Sequence, residues 1–365
     1  MFIHSFPAWL ELSALALSIG LLMCRLWVFP PAEESSYQRD SFSRMGRFLC
    51  ISIAVLFAAS LMDLLVRAAD MSGRPVDEAC EVLPVVLFKT HYGRVWFLRI
   101  SALLVISIAL MAGRRHRDSR GLSAFILAAF VVIAMTESAS GHAADAGDFS
   151  MAETMDLLHL LAASVWGGGL FALTLSVLPG IGRMSDDNAP ILSVVAGRFS
   201  SMAGIAVAVV TLTALYNARQ YVGGVKGLIA TPYGWIVIAK IIIFFILLQL
   251  GGFNRYINVP LLQRWAGPAP VRHQGPLGPV AIRLFEKLRG MQEGRVVAQR
   301  FRRSVQAEAF LILAALLCAA LLRHEIPARH HSHLGHVSGK THSMQPMSDD
   351  DQHTQPEHHN HDAGK

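Results

Sequence analysis

Five residues between positions 142 and 159 combine the side chains that bind soft metal ions. His142 lies in a small polar loop, and Met151, Met155, Asp156 and His159 follow it on a predicted helix. Met155 and Asp156 precede His159 by four and three positions, so these side chains share one helix face. Imidazole binds copper and zinc, and thioether sulfur selects Cu(I). The pattern predicts a soft metal site with few ligands.

The end of the chain holds a second set of metal-binding side chains. Ten of the sixteen histidines follow residue 323, with Met344 and Met347 among them. Residues 324–365 lack apolar periodicity, which predicts disorder, and a His-rich composition is typical of metal capture. An inert or pH-sensing tail is the alternative. The predicted capture ligands are the most closely spaced histidines: His330, His331, His333, His336, His358, His359 and His361.

The composition is that of a membrane protein. The 365 residues are 53% hydrophobic and 16% charged, whereas a soluble domain carries about 25% charged residues. The pI of 9.3 would suggest nucleic-acid binding in a soluble protein. Here we attribute it to Lys and Arg in cytoplasmic loops and expect no nucleic-acid partner. The four cysteines are scattered and form no disulfide framework.

Eight apolar segments are long enough to cross a bilayer, so we predict an all-α, polytopic membrane protein with eight transmembrane helices and a disordered His-rich C-terminal tail. The first segment lacks a basic n-region and a cleavage site, and we expect it to be retained as a span. Residues 280–304 are either an interfacial helix or a helical extension of the last span. The predicted spans cover about residues 8–29, 47–68, 94–112, 121–139, 153–178, 198–221, 233–253 and 305–323.

Loop charge predicts the orientation. The first, third, fifth and seventh connections are rich in Lys and Arg, and the third contains Arg114, Arg115, Arg117 and Arg120. The other connections contain few basic residues. Because cytoplasmic loops collect Lys and Arg, we expect the odd connections in the cytoplasm. Both termini would then be periplasmic, in a bacterial inner membrane whose lipid bilayer surrounds the spans.

This orientation places the polar residues of the spans in the outer half of the membrane. Lys240 would lie about 10 Å deep and needs an anionic partner, for which Glu137 and Asp156 are the candidates. Interfacial, snorkelling side chains are the alternative, above all for arginines. The other members of this set are Asp63, Arg67, Arg94, Arg99, His159 and Asn217.

Three further features concern packing and chemistry. Cys24 and Cys50 fall near the inner ends of neighbouring spans, where they are either a thiolate exit site or inert thiols. The glycine run 167–169 predicts that another helix packs closely against the fifth span. No Walker loop, dinucleotide fingerprint or GxSxG motif is present. We therefore expect neither an ATP-driven pump nor an enzyme.

Four blocks of sequence resemble the copper resistance protein D family. In chain order they are LLHLLAASVWGGGL, RFSSMAGIAVAVVTLTALYNARQYVGG, TPYGWIVIAKIIIFFILLQLGGFNRYINVPLL and FRRSVQAEAFLILAALL, within residues 141–323. The resemblance implies a multi-helix inner-membrane protein that passes copper from periplasm to cytoplasm, with His142 and His159 as ligands. Lys240, Asn254–Arg255 and Glu308 match recurring positions without an assigned role. The His-rich tail departs from the family pattern.

These observations predict three regions and one function. Residues 1–140 form an N-terminal four-helix membrane region, residues 141–323 a second four-helix region, and residues 324–365 a periplasmic tail. The predicted function is copper ion transport that contributes to copper homeostasis and resistance. A periplasmic copper-binding protein is a candidate partner.

Two alternatives remain open. The first is a haem-binding membrane electron-transfer protein, which would need paired histidines within helices, whereas only His159 clearly lies in a span. The second is a copper sensor or chaperone that does not transport the ion.

Overall fold

A computed structural model of the chain describes residues 2–30, 35–73, 75–113, 119–141, 147, 150–183, 189–222, 224–267, 294–323 and 325. Within these ranges the regular structure is helical, and eight helices are long and apolar enough to cross a membrane. This confirms the predicted all-α fold and its eight spans. The helices are α1 (Phe2–Met23), α2 (Ser36–Ser72), α3 (Leu83–Lys89), α4 (His91–Ala112), α5 (Arg120–Ser138), α6 (Met151–Ala172), α7 (Ala189–Tyr221), α8 (Val225–Ala230), α9 (Pro232–Phe253), α10 (Val259–Trp265) and α11 (Gly294–Leu322).

Three of these helices continue into π-helical segments. The segments are Cys24–Val28 after α1, Leu173–Val177 after α6 and Asn254–Asn258 after α9. A π-helical turn widens the backbone helix and is often found at functional positions. All three lie at the membrane side that the loop charges assign to the cytoplasm.

Three helices begin earlier than hydropathy predicts. Helix α2 begins at Ser36, α7 at Ala189 and α11 at Gly294, each about ten residues before the apolar run starts. Hydropathy detects only the membrane-crossing part, whereas arginine and glutamine are good helix formers and extend the helix beyond the membrane. Residues 294–304 are therefore a helical extension of the last span; residues 280–293 lie outside the described ranges.

Helices α1 and α6 form the centre of the bundle. About two thirds of each apolar window is buried, 61% and 67%, against 6% for α9. The two helices approach closely at glycines: a Cβ atom on Gly168 would lie 1.7 Å from the Ala16 carbonyl oxygen, and one on Gly20 would lie 1.9 Å from the Gly168 carbonyl carbon. This confirms that the glycine run admits a closely packed helix.

Arginines at the helix ends that the loop charges assign to the cytoplasm bind backbone carbonyl groups. Arg44 Nε donates to the Ser176 carbonyl oxygen at 2.7 Å, and Arg198 Nη1 donates to the Phe29 carbonyl oxygen at 3.2 Å. The last carbonyls of a helix have no partner within the helix. The basic residues that predict the orientation thus also satisfy the ends of α1 and α6.

Candidate metal site and the polar clusters around it

His159 lies on α6, and one nitrogen of its ring is held by a hydroxyl of the neighbouring helix α7. Its Nδ1 is 2.9 Å from Thr213 Oγ1 on α7. The Thr213 hydroxyl donates its proton to the Val209 carbonyl oxygen at 2.7 Å, so its oxygen accepts from His159 Nδ1–H. The neutral imidazole then has its lone pair on Nε2. Metal-binding histidines are typically oriented by such a hydrogen bond from the other ring nitrogen.

Asp156 lies one turn before His159, and its carboxylate is hydrogen-bonded by Ser138. The Ser138 hydroxyl at the end of α5 donates to Asp156 Oδ2 at 3.1 Å. Lys240 on α9 is close enough to interact electrostatically with both Asp156 and His159. Of the two candidate partners for Lys240, Glu137 is paired with Arg99 and Arg323, and Asp156 is the one with which Lys240 interacts electrostatically.

Of the other predicted ligands, the structure describes only Met151 and Met155. Met151 begins α6 and is 61% exposed, and Met155 is half-buried on the same helix as His159. His142 and the seven tail histidines lie outside the described residues. Within the described ranges, no group of three or more His, Cys, Asp or Glu residues is close enough to hold a metal ion. The ligand set therefore stays a prediction centred on His159.

A buried ion cluster lies beside this site. Arg99 on α4 is fully buried, and its Nη1 lies 2.6 Å from Glu11 Oε1 and 3.1 Å from Glu137 Oε1. The second Glu137 oxygen, Oε2, lies 2.9 Å from Arg323 Nη1. Buried charges are tolerated in a low dielectric only when they are paired in this way. The cluster connects α1, α4, α5 and the end of α11.

Neighbouring polar groups complete the cluster. Ser60 Oγ donates to Glu11 Oε1 at 2.5 Å, and Tyr92 OH donates to Asp63 Oδ2 at 2.8 Å. Arg67 Nη2 donates to the Ser140 carbonyl oxygen at 2.6 Å. Arg67 therefore forms a hydrogen bond within the protein rather than snorkelling to the membrane surface.

Sequence reasoning placed Asp63, Arg99 and Glu137 in the outer half but missed Glu11 and Arg323. Glu11 is a lone acidic residue inside the first apolar run, which is a signal in itself. Arg323 follows the last apolar run directly and resembles a loop residue. Only its ion pair with Glu137 on α5 reveals its role.

A second polar group lies toward the end of the bundle that the loop charges assign to the cytoplasm. Arg300 Nε donates to Asn258 Oδ1 at 2.8 Å, Asn258 Nδ2 donates to Asn254 Oδ1 at 2.5 Å, and Asn254 Nδ2 donates to Glu308 Oε1. Because arginine can only donate, both amide orientations follow. Two residues of unassigned role, Asn254 and Glu308, are thereby joined in one chain. Arg255, another of these residues, binds the Ser200 carbonyl oxygen at 2.6 Å.

The two cysteines near the inner ends differ in environment. Cys24 is buried at the start of the π-helical segment after α1, and Cys50 is exposed on α2. Cys24 Sγ contacts the Gly169 carbonyl oxygen at 4.0 Å. Its surroundings are those of an inert, packed thiol.

The described histidines do not pair as bis-histidine haem ligands would. His4 Nδ1 lies 3.3 Å from Asp70 Oδ1, and His91 is the exposed first residue of α4. Both lie in the first turn of their helices. Among the residues that the structure describes, His159 is the only histidine within the body of a span.

The Thr213 hydrogen bond gives a first testable prediction. Thr213→Val keeps the side-chain shape but removes the oxygen that orients His159, so we expect Cu(I) affinity to fall about 10- to 100-fold. Competition with a Cu(I) chelator would measure it. Thr211→Val is the matched control, since Thr211 Oγ1 binds only the Val207 carbonyl oxygen of its own helix. Equal affinities in both variants would contradict the assigned role of Thr213.

Comparison with known proteins identifies related sequences. Residues 4–151 match the family model of the copper resistance protein D-like N-terminal domain, and residues 193–322 match that of copper resistance protein D. "Copper transport protein CutJ" of Bacillus subtilis (strain 168) is 28% identical over 246 residues, which are 66% of this chain and 44% of the relative. "Copper resistance protein D" of Pseudomonas syringae pv. tomato is 23% identical over 254 residues, 68% of this chain and 80% of the relative. The chain thus matches less than half the length of the Bacillus relative, and no solved structure matches it.

Proposed function

We propose, because this chain belongs to the copper resistance protein D family, that it carries copper ions across the bacterial inner membrane. Two relatives are named for copper transport and copper resistance, which supports a role in copper handling. The chain is a multi-pass membrane protein, and eight helices of its described residues are long and apolar enough to span the bilayer. We assign it no catalytic reaction; copper is its substrate rather than a resident cofactor.

The observation that carries the proposal is the state of His159. Thr213 holds its Nδ1 at 2.9 Å, which leaves the Nε2 lone pair for an incoming ion. Met155 and Asp156 share its helix face. A neutral imidazole next to a thioether suits Cu(I) better than hard divalent cations.

The proposed direction is from periplasm to cytoplasm. It is supported by the loop charges, which put the start of α6 and the site near it at the outer face. In this proposal His142 and His159 accept copper there, with Met151 nearby. The tail histidines, or a periplasmic copper-binding protein, raise the local copper concentration outside.

Copper uptake into proteoliposomes tests the proposal. Full-length protein is reconstituted, and radioactive Cu(I) inside the vesicles is counted for the wild type, His142→Ala and His159→Ala. We expect uptake by both variants to fall at least tenfold, because each loses an imidazole ligand. His91→Ala, an exposed histidine at the outer end of α4, is the control and should keep the wild-type rate. Wild-type uptake by both ligand variants would refute the site.

The same preparation separates the other candidate functions. A Soret band in the visible spectrum would indicate bound haem and an electron-transfer role. Stoichiometric copper binding without uptake into vesicles would indicate a sensor or chaperone. Either result would contradict the transport proposal.

A further inference from the structure

Two short outer helices lead into α4 and α9 with the same local geometry. Thr90 Oγ1 accepts from the Gly93 N–H at 3.1 Å, and Thr231 Oγ1 accepts from the Gly234 N–H at 3.0 Å. A Cβ atom on either glycine would lie 2.1 Å from a carbonyl oxygen of the preceding short helix. The sequences agree as well, since Thr-x-Tyr-Gly begins both helices. Because these hydrogen bonds, glycine contacts and residues match, the helix pair α3–α4 is structurally equivalent to the pair α8–α9.

The equivalence extends to the whole bundle. Helix α1 packs on α2 as α6 packs on α7, and α4 packs on α5 as α9 packs on α11. Contacts between the halves also match, because α1 packs on α11 and α6 packs on α5. Helices α1 and α6 both end in a π-helical segment, and they meet each other at Gly20 and Gly168. Such reciprocal contacts are those of an approximate two-fold axis between α1–α5 and α6–α11.

This relation aligns the ion cluster with the candidate metal site. Lys240 follows Thr231 by nine residues, as Arg99 follows Thr90. Each half also has a hydroxyl that contacts a polar residue of the neighbouring helix. Ser60 on α2 contacts Glu11 on α1, and Thr213 on α7 contacts His159 on α6. The set Glu11, Ser60 and Arg99 therefore corresponds to His159, Thr213 and Lys240.

The two sets differ in how the cation is held. Arg99 is permanently charged and bridges two carboxylates directly, at 2.6 and 3.1 Å. The first set is therefore filled by a cation that belongs to the protein. In the second set imidazole replaces the carboxylate of Glu11, and the cation is a single ammonium near Asp156. A lysine ammonium is a compact charge on a flexible stem and can move without breaking a two-point contact.

We propose that Lys240 is a tethered cation that competes with copper at the second set: copper that binds at His159 repels the ammonium away from the site, and the ammonium returns when copper leaves. This inference rests on the proposed function and names the group that limits copper binding at its site. The physical basis is repulsion between two positive charges in a medium of low dielectric constant, where charges interact strongly. Return of the ammonium would favour release of the ion and reset the site.

Two substitutions of Lys240 in the full-length protein test the inference in opposite directions. Lys240→Met removes the competing charge, and we expect Cu(I) to bind at least tenfold more tightly. Lys240→Arg restores the arrangement of the first set, with a guanidinium that can hold Asp156 at two points; we expect at least tenfold weaker binding. Competition with a Cu(I) chelator in lipid nanodiscs measures both. Lys89→Met, at an exposed lysine at the end of α3, is the matched control and should bind as the wild type does.

The outcomes separate this inference from the transport proposal. Weaker binding by Lys240→Met, or wild-type binding by Lys240→Arg in protein with an unchanged melting temperature, would overturn the inference. The predicted affinities without uptake into vesicles would refute transport and leave the inference intact. An absence of Cu(I) binding by the wild type and both variants would overturn both.

Discussion

Replacing Arg99 by methionine is expected to destabilise the folded protein by roughly 3–5 kcal/mol, the cost of breaking a buried ion pair from one side. Arg99 is fully buried and binds both Glu11 and Glu137. Methionine fills a similar volume, so lost packing contributes little. The cost arises because Glu11 then keeps only the Ser60 hydroxyl as a partner, whereas Glu137 retains Arg323.

Unfolding in mixed micelles, followed by circular dichroism, would measure this change. Arg94→Met is the matched control: Arg94 lies on the same helix but is exposed, and surface substitutions usually change stability by within about 0.5 kcal/mol. The double variant Arg99→Met/Glu11→Gln should recover part of the loss, because it removes the uncompensated carboxylate. Equal stabilities of Arg99→Met and Arg94→Met would show that the ion cluster contributes nothing to the fold.

Replacing Gly168 by alanine is expected to destabilise the fold by about 3 kcal/mol, the upper end of the cost of overpacking. The added Cβ atom would lie 1.7 Å from the Ala16 carbonyl oxygen and 2.5 Å from its carbon. Both are backbone atoms of α1, so no side-chain rotation can relieve the clash. The two central helices must separate, and the buried contacts between them are lost.

The yield and melting temperature of purified protein would reveal this effect. Gly46→Ala on α2 is the control, because a Cβ atom there meets no atom within 4 Å and alanine favours the helix by about 1 kcal/mol. The two glycines should therefore respond in opposite directions. An unchanged melting temperature of Gly168→Ala would contradict the close contact of α1 and α6.

The sequence predicted the helices well because the bilayer imposes them. A span needs about 20 apolar residues, and its backbone must form its own hydrogen bonds, so hydropathy alone located all eight. Hydropathy did not locate the first residues of α2, α7 and α11, where the helix already runs through basic residues before the apolar segment begins. That continuation depends on helix propensity and tertiary contacts, which hydropathy does not measure.

The candidate site was predicted in part. His159, Asp156 and Lys240 were identified as costly polar residues in spans, because such residues are rare unless they have a function. Glu11 and Arg323 were missed, although a single glutamate within the first apolar run was a visible signal. The repeated Thr-x-Tyr-Gly at residues 90–93 and 231–234 was a second signal. Four residues alone were too short to indicate a repeat, and equal hydrogen bonds and helix contacts were needed.

The sequence by itself thus determined the helical fold and its eight apolar spans, because these follow from local composition; the orientation by loop charge and the soft metal site stay predictions. Only the tertiary structure decided which charges pair. Asp156 and Glu137 are acidic residues at the same end of the bundle, but Ser138 binds the first, which also interacts electrostatically with Lys240, and Arg99 and Arg323 bind the second. Partners so distant in sequence are brought together by helix packing around α1 and α6. No local pattern encodes that arrangement, because electrostatic pairing depends on distance in space.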